Sequence, residues 1–94
     1  MREKHLEHML RKEIIRRGGL ALKFTPASWR GAPDRIILLP KSRVFFIELK
    51  SHKKKPTKLQ IERHETLRKL GFDVIVLDNP DALKNFFQVL DKLG

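Results

Sequence analysis

Two acidic residues, one before an apolar run and one after the next such run, are the side chains best placed to do chemistry. Asp34 precedes the run Ile36–Leu39, and Glu48 follows the run Val44–Ile47. The two runs flank a turn at Pro40-Lys41-Ser42, which is typical of a β-hairpin. With the turn centred on its middle residue, the two carboxylates face each other, with Cβ atoms roughly 4.5–5.5 Å apart. The sequence therefore predicts a pair of opposed carboxylates on one face of the hairpin.

Such a pair needs a neutralising charge, because like charges directly opposite each other destabilise a strand pair. Oxygen ligands from one or two carboxylates, completed by water and substrate phosphate, suit Mg²⁺. Lys50 shares the face by the two-residue period of a strand. The alternative is a surface hairpin in which Lys50 simply neutralises Glu48. The prediction depends on the register, since a slip of one residue would separate the two acids.

The order of these residues resembles a known nuclease signature. Asp34, a spacer and Glu48-Leu49-Lys50 are similar to the PD-(D/E)xK pattern. Together with Gly31-Ala32-Pro33-Asp34, they more narrowly resemble the virus-type replication-repair nuclease (VRR-NUC) family. Two further family positions are matched, an acidic residue on the first helix (Glu7) and a glutamine on the helix after the third strand (Gln60). The resemblance covers most of the 94 residues.

The resemblance implies a Mg²⁺-dependent endonuclease that hydrolyses DNA phosphodiester bonds. Mn²⁺ is expected to support the same activity. The metal would lower the pKa of a bound water and neutralise charge on the phosphate. Lys50 would orient that water or stabilise the transition state. The implied metal ligands are Asp34, Glu48, the Leu49 backbone carbonyl and, as a secondary candidate, Glu7. The implied catalytic residues are Asp34, Glu48, Lys50 and Gln60.

The resemblance also bears on substrate and assembly. Stand-alone members of the family resemble Holliday-junction resolvases, enzymes of DNA repair and recombination whose substrate has two-fold symmetry. We therefore expect a homodimer that cuts four-way junctions, since closed two-fold dimers are the commonest oligomers. Its interface could use Trp29 or the apolar stripe Leu83, Phe86, Phe87 and Leu90. The alternatives are a nuclease acting on flaps or nicked duplex, and a non-catalytic basic DNA-binding module.

Charge is unevenly distributed and favours a polyanionic partner. Lys and Arg total 21 against 11 acidic residues, a formal net charge of +10. Residues 50–69 hold eight basic and two acidic side chains, whereas residues 70–94 hold two basic and four acidic ones. This pattern favours nucleic acid as the partner, although a merely solvated basic surface is the alternative. The predicted DNA contacts are Arg30, Arg35, His52, Lys53, Lys54, Lys55 and Lys58.

Three of the singled-out residues also have ordinary structural interpretations. Glu7 could pair with Arg11, four residues on along a helix. Gln60 and Thr57 have the S/T-x-x-E/Q spacing of a capping box, which is compatible with a catalytic role if the helix start points at the metal. Trp29 could contact a nucleotide or wall the site, but a lone tryptophan is more often a core or interface plug.

The pattern of elements predicts an α/β fold. We expect a helix, a three-stranded meander, a crossover helix, a fourth strand parallel to the third, and a closing helix. This order, α-β-β-β-α-β-α with a mixed four-stranded sheet, matches a restriction-endonuclease-like core. The predicted bounds are 3–17, 20–24, 36–39, 44–47, 57–70, 72–77 and a final helix after Asn79-Pro80.

Composition limits the other classes of protein. The length predicts a single domain over residues 1–94, with a modest core. The chain contains no cysteine, which excludes disulfides and thiolate metal sites. No apolar run approaches the roughly 18 residues of a membrane span, and the charged start lacks a signal-peptide pattern. We therefore expect a cytoplasmic protein with no membrane association.

Overall fold

The helices and strands follow the predicted order. The computed structural model describes residues 2–52 and 54–94, which form three helices and four strands. These are α1 (Glu3–Arg16), β1 (Leu20–Lys23), β2 (Arg35–Leu39), β3 (Arg43–Leu49), α2 (Lys58–Lys69), β4 (Asp73–Leu77) and α3 (Pro80–Leu93). The predicted α/β class and element order are confirmed. Among the described helices, none is long and apolar enough to cross a membrane.

One mixed sheet, in the order β1-β2-β3-β4, positions the hairpin. β1, β2 and β3 pair antiparallel, and β4 pairs parallel to β3 after the α2 crossover. Ile36 lies opposite Phe46, which is the predicted hairpin register. Lys41 and Ser42 close the turn in the left-handed region, at φ 66° and 62°. Continued by two residues, this register places Asp34 level with Glu48, as the sequence predicted.

α1 and α3 cover one face of the sheet and form the main core. Its fully buried side chains include Leu6, Leu10 and Ile14 from α1, and Ile37, Ile47 and Leu49 from the strands. The predicted use of the α3 stripe as a surplus patch for a dimer is wrong. Leu83, Phe86, Phe87 and Leu90 are at most 9% exposed, because they fill the space between α3, α1 and the sheet.

α2 covers the other face of the sheet with a smaller apolar cluster. Phe46, Leu67 and Val74 are buried there, with Phe24 and Trp29 partly buried against them. Asp34 and Glu48 share this face by the two-residue period of β2 and β3. The β1 end of the same face is open, where Leu20 and Leu22 are 53% and 44% exposed. Ile15, near the end of α1, is also exposed.

Candidate active site

The hairpin backbone fixes both carboxylates. Glu48, in β3, is 1% exposed, whereas Asp34, immediately before β2, keeps part of its side chain open to solvent. The Leu49 backbone N–H donates to both Asp34 carboxylate oxygens, at 3.3 and 3.4 Å. The Phe24 N–H donates to the Asp34 carbonyl oxygen at 2.9 Å, and the preceding Pro33 is fully buried. Asp34 is therefore attached to the strands on both sides of it.

Three polar side chains surround the Glu48 carboxylate. The Lys50 Nζ lies 3.5 Å from its Oε2, and the Gln60 Nε2 donates to the same oxygen at 3.3 Å. The His64 Nε2 lies 3.4 Å from Oε1. Both oxygens of this buried carboxylate thus have polar partners, as buried charges require.

α2 delivers Gln60 and His64 to the site, because residues four apart lie on the same face of a helix. The Gln60 backbone N–H donates to Thr57 Oγ1 at 3.1 Å, and the Thr57 N–H donates to Gln60 Oε1 at 2.8 Å. The predicted capping box is therefore confirmed. Since the cap uses Oε1, the amide nitrogen of Gln60 remains available for Glu48. One side chain both starts the helix and contacts the site.

Burial and mutual repulsion make the two carboxyls hard to ionise together. Burial, followed by the charge of Glu48, raises the pKa of Asp34 to about 7. Burial also raises the pKa of Glu48, against the opposing effect of Lys50. The pKa of His64 is lowered by burial and by the charges of Arg68 and Lys50, which favours a neutral imidazole. The site therefore favours a cation between the two carboxylates.

The donors present fit Mg²⁺. Asp34 and Glu48 supply hard oxygen atoms, and their raised pKa values show that their negative charge is poorly balanced by the protein. No group of three or more His, Cys, Asp or Glu that could hold an ion occurs among residues 2–52 and 54–94. Two carboxylates completed by water and substrate phosphate are the usual protein contribution to a Mg²⁺ site.

Glu7 reaches the sheet through an arginine. Its Oε2 lies 2.9 Å from Arg35 Nη2, and no Glu7–Arg11 pair occurs within the described part of the chain. Arg35 Nη1 donates to the Asp34 carbonyl oxygen at 2.9 Å and lies 3.7 Å from Asp34 Oδ1. The Arg35 side chain is 11% exposed, so its guanidinium is held between two acidic residues and not presented as a surface charge.

Sequence reasoning missed one contact of this site and one charge that acts on it from a distance. His64 contacts Glu48 directly, and the charge of Glu3 contributes to the raised pKa of Glu48. Each lies four residues from a residue that the motif had singled out: His64 follows Gln60, and Glu3 precedes Glu7. Helical periodicity around the motif residues was the signal that could have identified both.

The other predicted DNA-binding residues lie outside this polar cluster. Arg30, His52, Lys54, Lys55 and Lys58 are exposed. Lys53, predicted as a DNA contact, lies outside the described residues. The loop that carries most of them follows β3 directly, at the end of the strand where Glu48 and Lys50 lie. The exposed basic residues of this loop therefore follow Glu48 closely in the sequence.

Comparison with known proteins identifies the family. No family model matches the chain. It is 42% identical over 81 residues to "Putative nuclease p44" of Acyrthosiphon pisum secondary endosymbiont phage 1, covering 86% of this chain and 87% of that protein. A solved structure described as a VRR_NUC domain superposes with a TM-score of 0.86 at 28% identity, over 92% of this chain and 94% of the other. The chain belongs to the VRR-NUC family of nucleases.

Proposed function

We propose that residues 1–94 act as one Mg²⁺-dependent endonuclease domain that hydrolyses DNA phosphodiester bonds. The observation that carries the proposal is the pair Asp34 and Glu48, held together although burial raises the pKa of both and the charge of Glu48 raises the pKa of Asp34 further. A lysine beside that pair completes a nuclease constellation. Mn²⁺ would support the same activity. A DNA substrate also agrees with the predicted cytoplasmic location.

In this proposal Asp34 and Glu48 hold the ion, with the Leu49 backbone carbonyl as a third ligand. Mg²⁺ would supply an activated water and neutralise charge on the phosphate. The Leu49 N–H fixes the Asp34 carboxylate, so in this proposal the backbone of one residue both positions a metal ligand and supplies another. The Lys50 ammonium places a positive charge beside Glu48, where it can orient the water or stabilise the charge that develops on the phosphate.

The remaining residues act through the carboxylates. Gln60 and His64 hold the two Glu48 oxygens at fixed positions, a role like that of the hydrogen-bonded partners of metal ligands. Glu7 holds Arg35 beside Asp34 through its Oε2, so that oxygen is already occupied by an ion pair. We therefore propose that Glu7 positions Arg35, with direct metal binding as the alternative predicted from the family.

Cleavage assays test the proposal directly. The protein should cut plasmid DNA or branched oligonucleotides in Mg²⁺ or Mn²⁺ and leave them intact in EDTA. A non-catalytic DNA-binding module would instead retard the same DNA on a gel without cutting it in any metal. The assembled carboxylate pair argues against that alternative, because a binding module has no use for buried, repelling acids.

We propose that the exposed basic residues bind the phosphate backbone. Replacing Lys54 and Lys55 with Gln should weaken binding to every DNA alike and reduce the slope of log affinity against log salt by about 1 for each lost contact. The matched control replaces Lys84 and Lys92 with Gln, two exposed lysines of the acidic C-terminal segment. Equal effects of the two double variants would show that only net charge matters.

We further propose a homodimer that prefers four-way junctions and cuts opposing strands symmetrically. Because the α3 stripe is buried, we place the interface at the edge strand β1, where Leu20, Leu22 and the neighbouring Ile15 expose apolar surface. Light scattering at micromolar concentration should give the mass of two chains, and Leu20→Lys with Leu22→Lys should give one. A monomeric parent that cuts flaps or nicked duplex as well as junctions would contradict this part and leave the nuclease proposal intact.

A further inference from the structure

A cavity with no role in the site described so far opens beside Asp34. Its volume is about 230 Å³, and its walls include Phe24, Trp29 and Arg30, with Asp34 at one side. Trp29 and Phe24 are half-buried, whereas Arg30 is exposed. An apolar, aromatic space thus adjoins one of the two carboxylates proposed to hold the metal.

The cavity wall is braced by α2. Arg63 Nε donates to the Arg30 carbonyl oxygen at 2.8 Å, and its guanidinium lies over the Trp29 ring, 5.1 Å from the ring centroid. Gly31 has φ +83°, and a Cβ there would lie 2.8 Å from Leu59 Cγ, so the loop packs closely against the helix. Arg63 is not part of the cavity wall, whereas Trp29 is, so the indole contacts both Arg63 and the cavity.

We propose that this cavity binds one unstacked nucleobase of the DNA strand being cut, next to the scissile phosphate. The inference rests on the proposed function. Asp34 belongs to both spaces, so a phosphate at the carboxylate pair places its neighbouring nucleotide at the cavity mouth. Aromatic side chains stack on any base, and the exposed Arg30 can contact the backbone of that nucleotide.

The size of the cavity limits its occupant. At about 230 Å³ it is smaller than the roughly 300–1,000 Å³ of sites for drug-sized ligands, so it suits one ring system. A base can enter only after leaving its stack, which costs least where the DNA is unpaired, mismatched or distorted. The cavity would therefore favour cleavage at branch points and other disrupted positions over uniform duplex.

Trp29 itself provides the probe, because it is the single tryptophan of the chain. Oligonucleotides that carry one abasic nucleotide, placed at successive positions along the strand, are titrated into the full chain, while anisotropy of a labelled end reports binding. Intact DNA should quench the Trp29 fluorescence. One abasic position should bind but lose most of that quenching. Equal quenching by every bound abasic oligonucleotide would overturn the proposal.

Cleavage rates supply the second readout. On the parent protein, the critical abasic position should reduce the cleavage rate about 5- to 100-fold, the range expected for losing one stacked base. Trp29→Ala should show a similar loss on intact DNA and little further loss on the abasic DNA, whereas Trp29→Phe should retain most activity. If the two losses multiply, the residue and the base act independently and the proposal is wrong.

These outcomes separate the cavity from the nuclease proposal. If the parent cuts no DNA in Mg²⁺ or Mn²⁺, the proposed function fails, and the fluorescence titration still decides whether a base enters the cavity. If the parent cuts DNA and no abasic position changes rate or quenching, the cavity proposal alone fails. Should Trp29→Ala not fold, the series of abasic positions on the parent protein decides the question unaided.

Discussion

The two faces of the sheet differ in what they bury. Among the described residues, the fully buried side chains of the face under α1 and α3 are apolar, from Leu6 on α1 to Leu90 on α3. The face under α2 has a smaller apolar cluster and buries Glu48 and His64, which are 1% and 2% exposed. One face thus stabilises the fold, and the other keeps polar groups out of water at an energetic cost.

This difference explains how so short a chain tolerates its site. Buried carboxyls with raised pKa values oppose folding at neutral pH unless a cation is present. The apolar face must supply the stability that the polar face lacks, and local conflicts of this kind are expected at functional sites. Substitutions on the face under α1 and α3 should therefore mainly lower stability. Substitutions on the face under α2 should mainly lower activity.

The largest effect on activity should come from the carboxylates. Asp34→Asn or Glu48→Gln should reduce cleavage by on the order of 10²–10³-fold or more, because each removes an ion ligand and a charge at the reacting centre. The measurement is cleavage of a labelled junction in Mg²⁺, with DNA binding followed in parallel and expected to persist. Asp73→Asn, at an exposed position on β4, is the matched control. Normal cleavage by Asp34→Asn would refute the assignment.

The largest effect on stability should come from the opposite face. Phe86 is 4% exposed and packs edge-to-face on Phe45, with ring centroids 5.5 Å apart. Phe86→Ala should lower the free energy of unfolding by about 3–5 kcal/mol, measured by urea denaturation. Leu70→Ala, at a position that is 69% exposed, should change it by less than about 0.5 kcal/mol. Similar losses for both would remove the distinction between core and exposed surface.

The hairpin shows how much of this could be predicted from sequence. Two apolar runs, a turn and a two-residue period determine which residues oppose each other, so the level placement of Asp34 and Glu48 followed from local pattern alone. The capping box of Thr57 and Gln60 is likewise a local pattern, and it was confirmed. Local sequence patterns also predicted the order of all the helices and strands that the structure describes.

Features that depend on tertiary packing were not predictable in this way. The Arg35–Glu7 pair joins β2 to α1, and His64 reaches β3 from α2. No sequence spacing identifies the Arg35–Glu7 pair, and only the four-residue step from Gln60 points to His64. The α3 stripe was misassigned for the same reason, because an amphipathic helix looks alike whether its apolar side meets the chain's own sheet or a second copy.

Substitution of His64 should have the next-largest effect on activity, after the carboxylates. His64→Ala should reduce cleavage about 10- to 100-fold by releasing Glu48 Oε1, a loss typical of partners that orient metal ligands. His64→Gln can still donate to Glu48 and should retain more activity. Thr66→Ala, at an exposed position on the same helix, is the control. The Mg²⁺ concentration needed for half-maximal cleavage should rise for His64→Ala, and an unchanged value would indicate a purely structural role.

The smallest effects are expected for the capping box. Two substitutions there should separate its role in starting α2 from the contact of Gln60 with Glu48. Thr57→Ala removes the acceptor for the Gln60 N–H and should cost about 0.5–2 kcal/mol of stability with little change in cleavage. Gln60→Leu removes the other half of the box and also the contact with Glu48, so it should cost similar stability but lower cleavage as well. Thermal unfolding and cleavage measured on both variants make the comparison. Equal activities would confine Gln60 to the cap.

Asp34 gives the metal-free protein a characteristic pH dependence. Its pKa rises on folding from 3.8 to about 7, so between these values the native state binds more protons than the unfolded state. The free energy of unfolding should therefore fall as pH rises through that window, by at most about 4 kcal/mol and by less because solvent reaches part of the Asp34 side chain. His64, whose pKa is lowered, contributes the opposite slope at the acidic end. Comparison with Asp34→Asn isolates the contribution of Asp34.

Thermal unfolding at pH 8, in EDTA and in millimolar Mg²⁺, tests the paired-carboxylate site most directly. In EDTA, Asp34→Asn should melt higher than the parent, because it removes one of two repelling charges. Mg²⁺ should raise the Tm of the parent by about 4 °C or more, as expected for roughly 1 kcal/mol of linked binding in a domain of this size, and should leave Asp34→Asn unchanged. A parent whose Tm does not respond to Mg²⁺, and which melts no lower than Asp34→Asn in EDTA, would contradict the account.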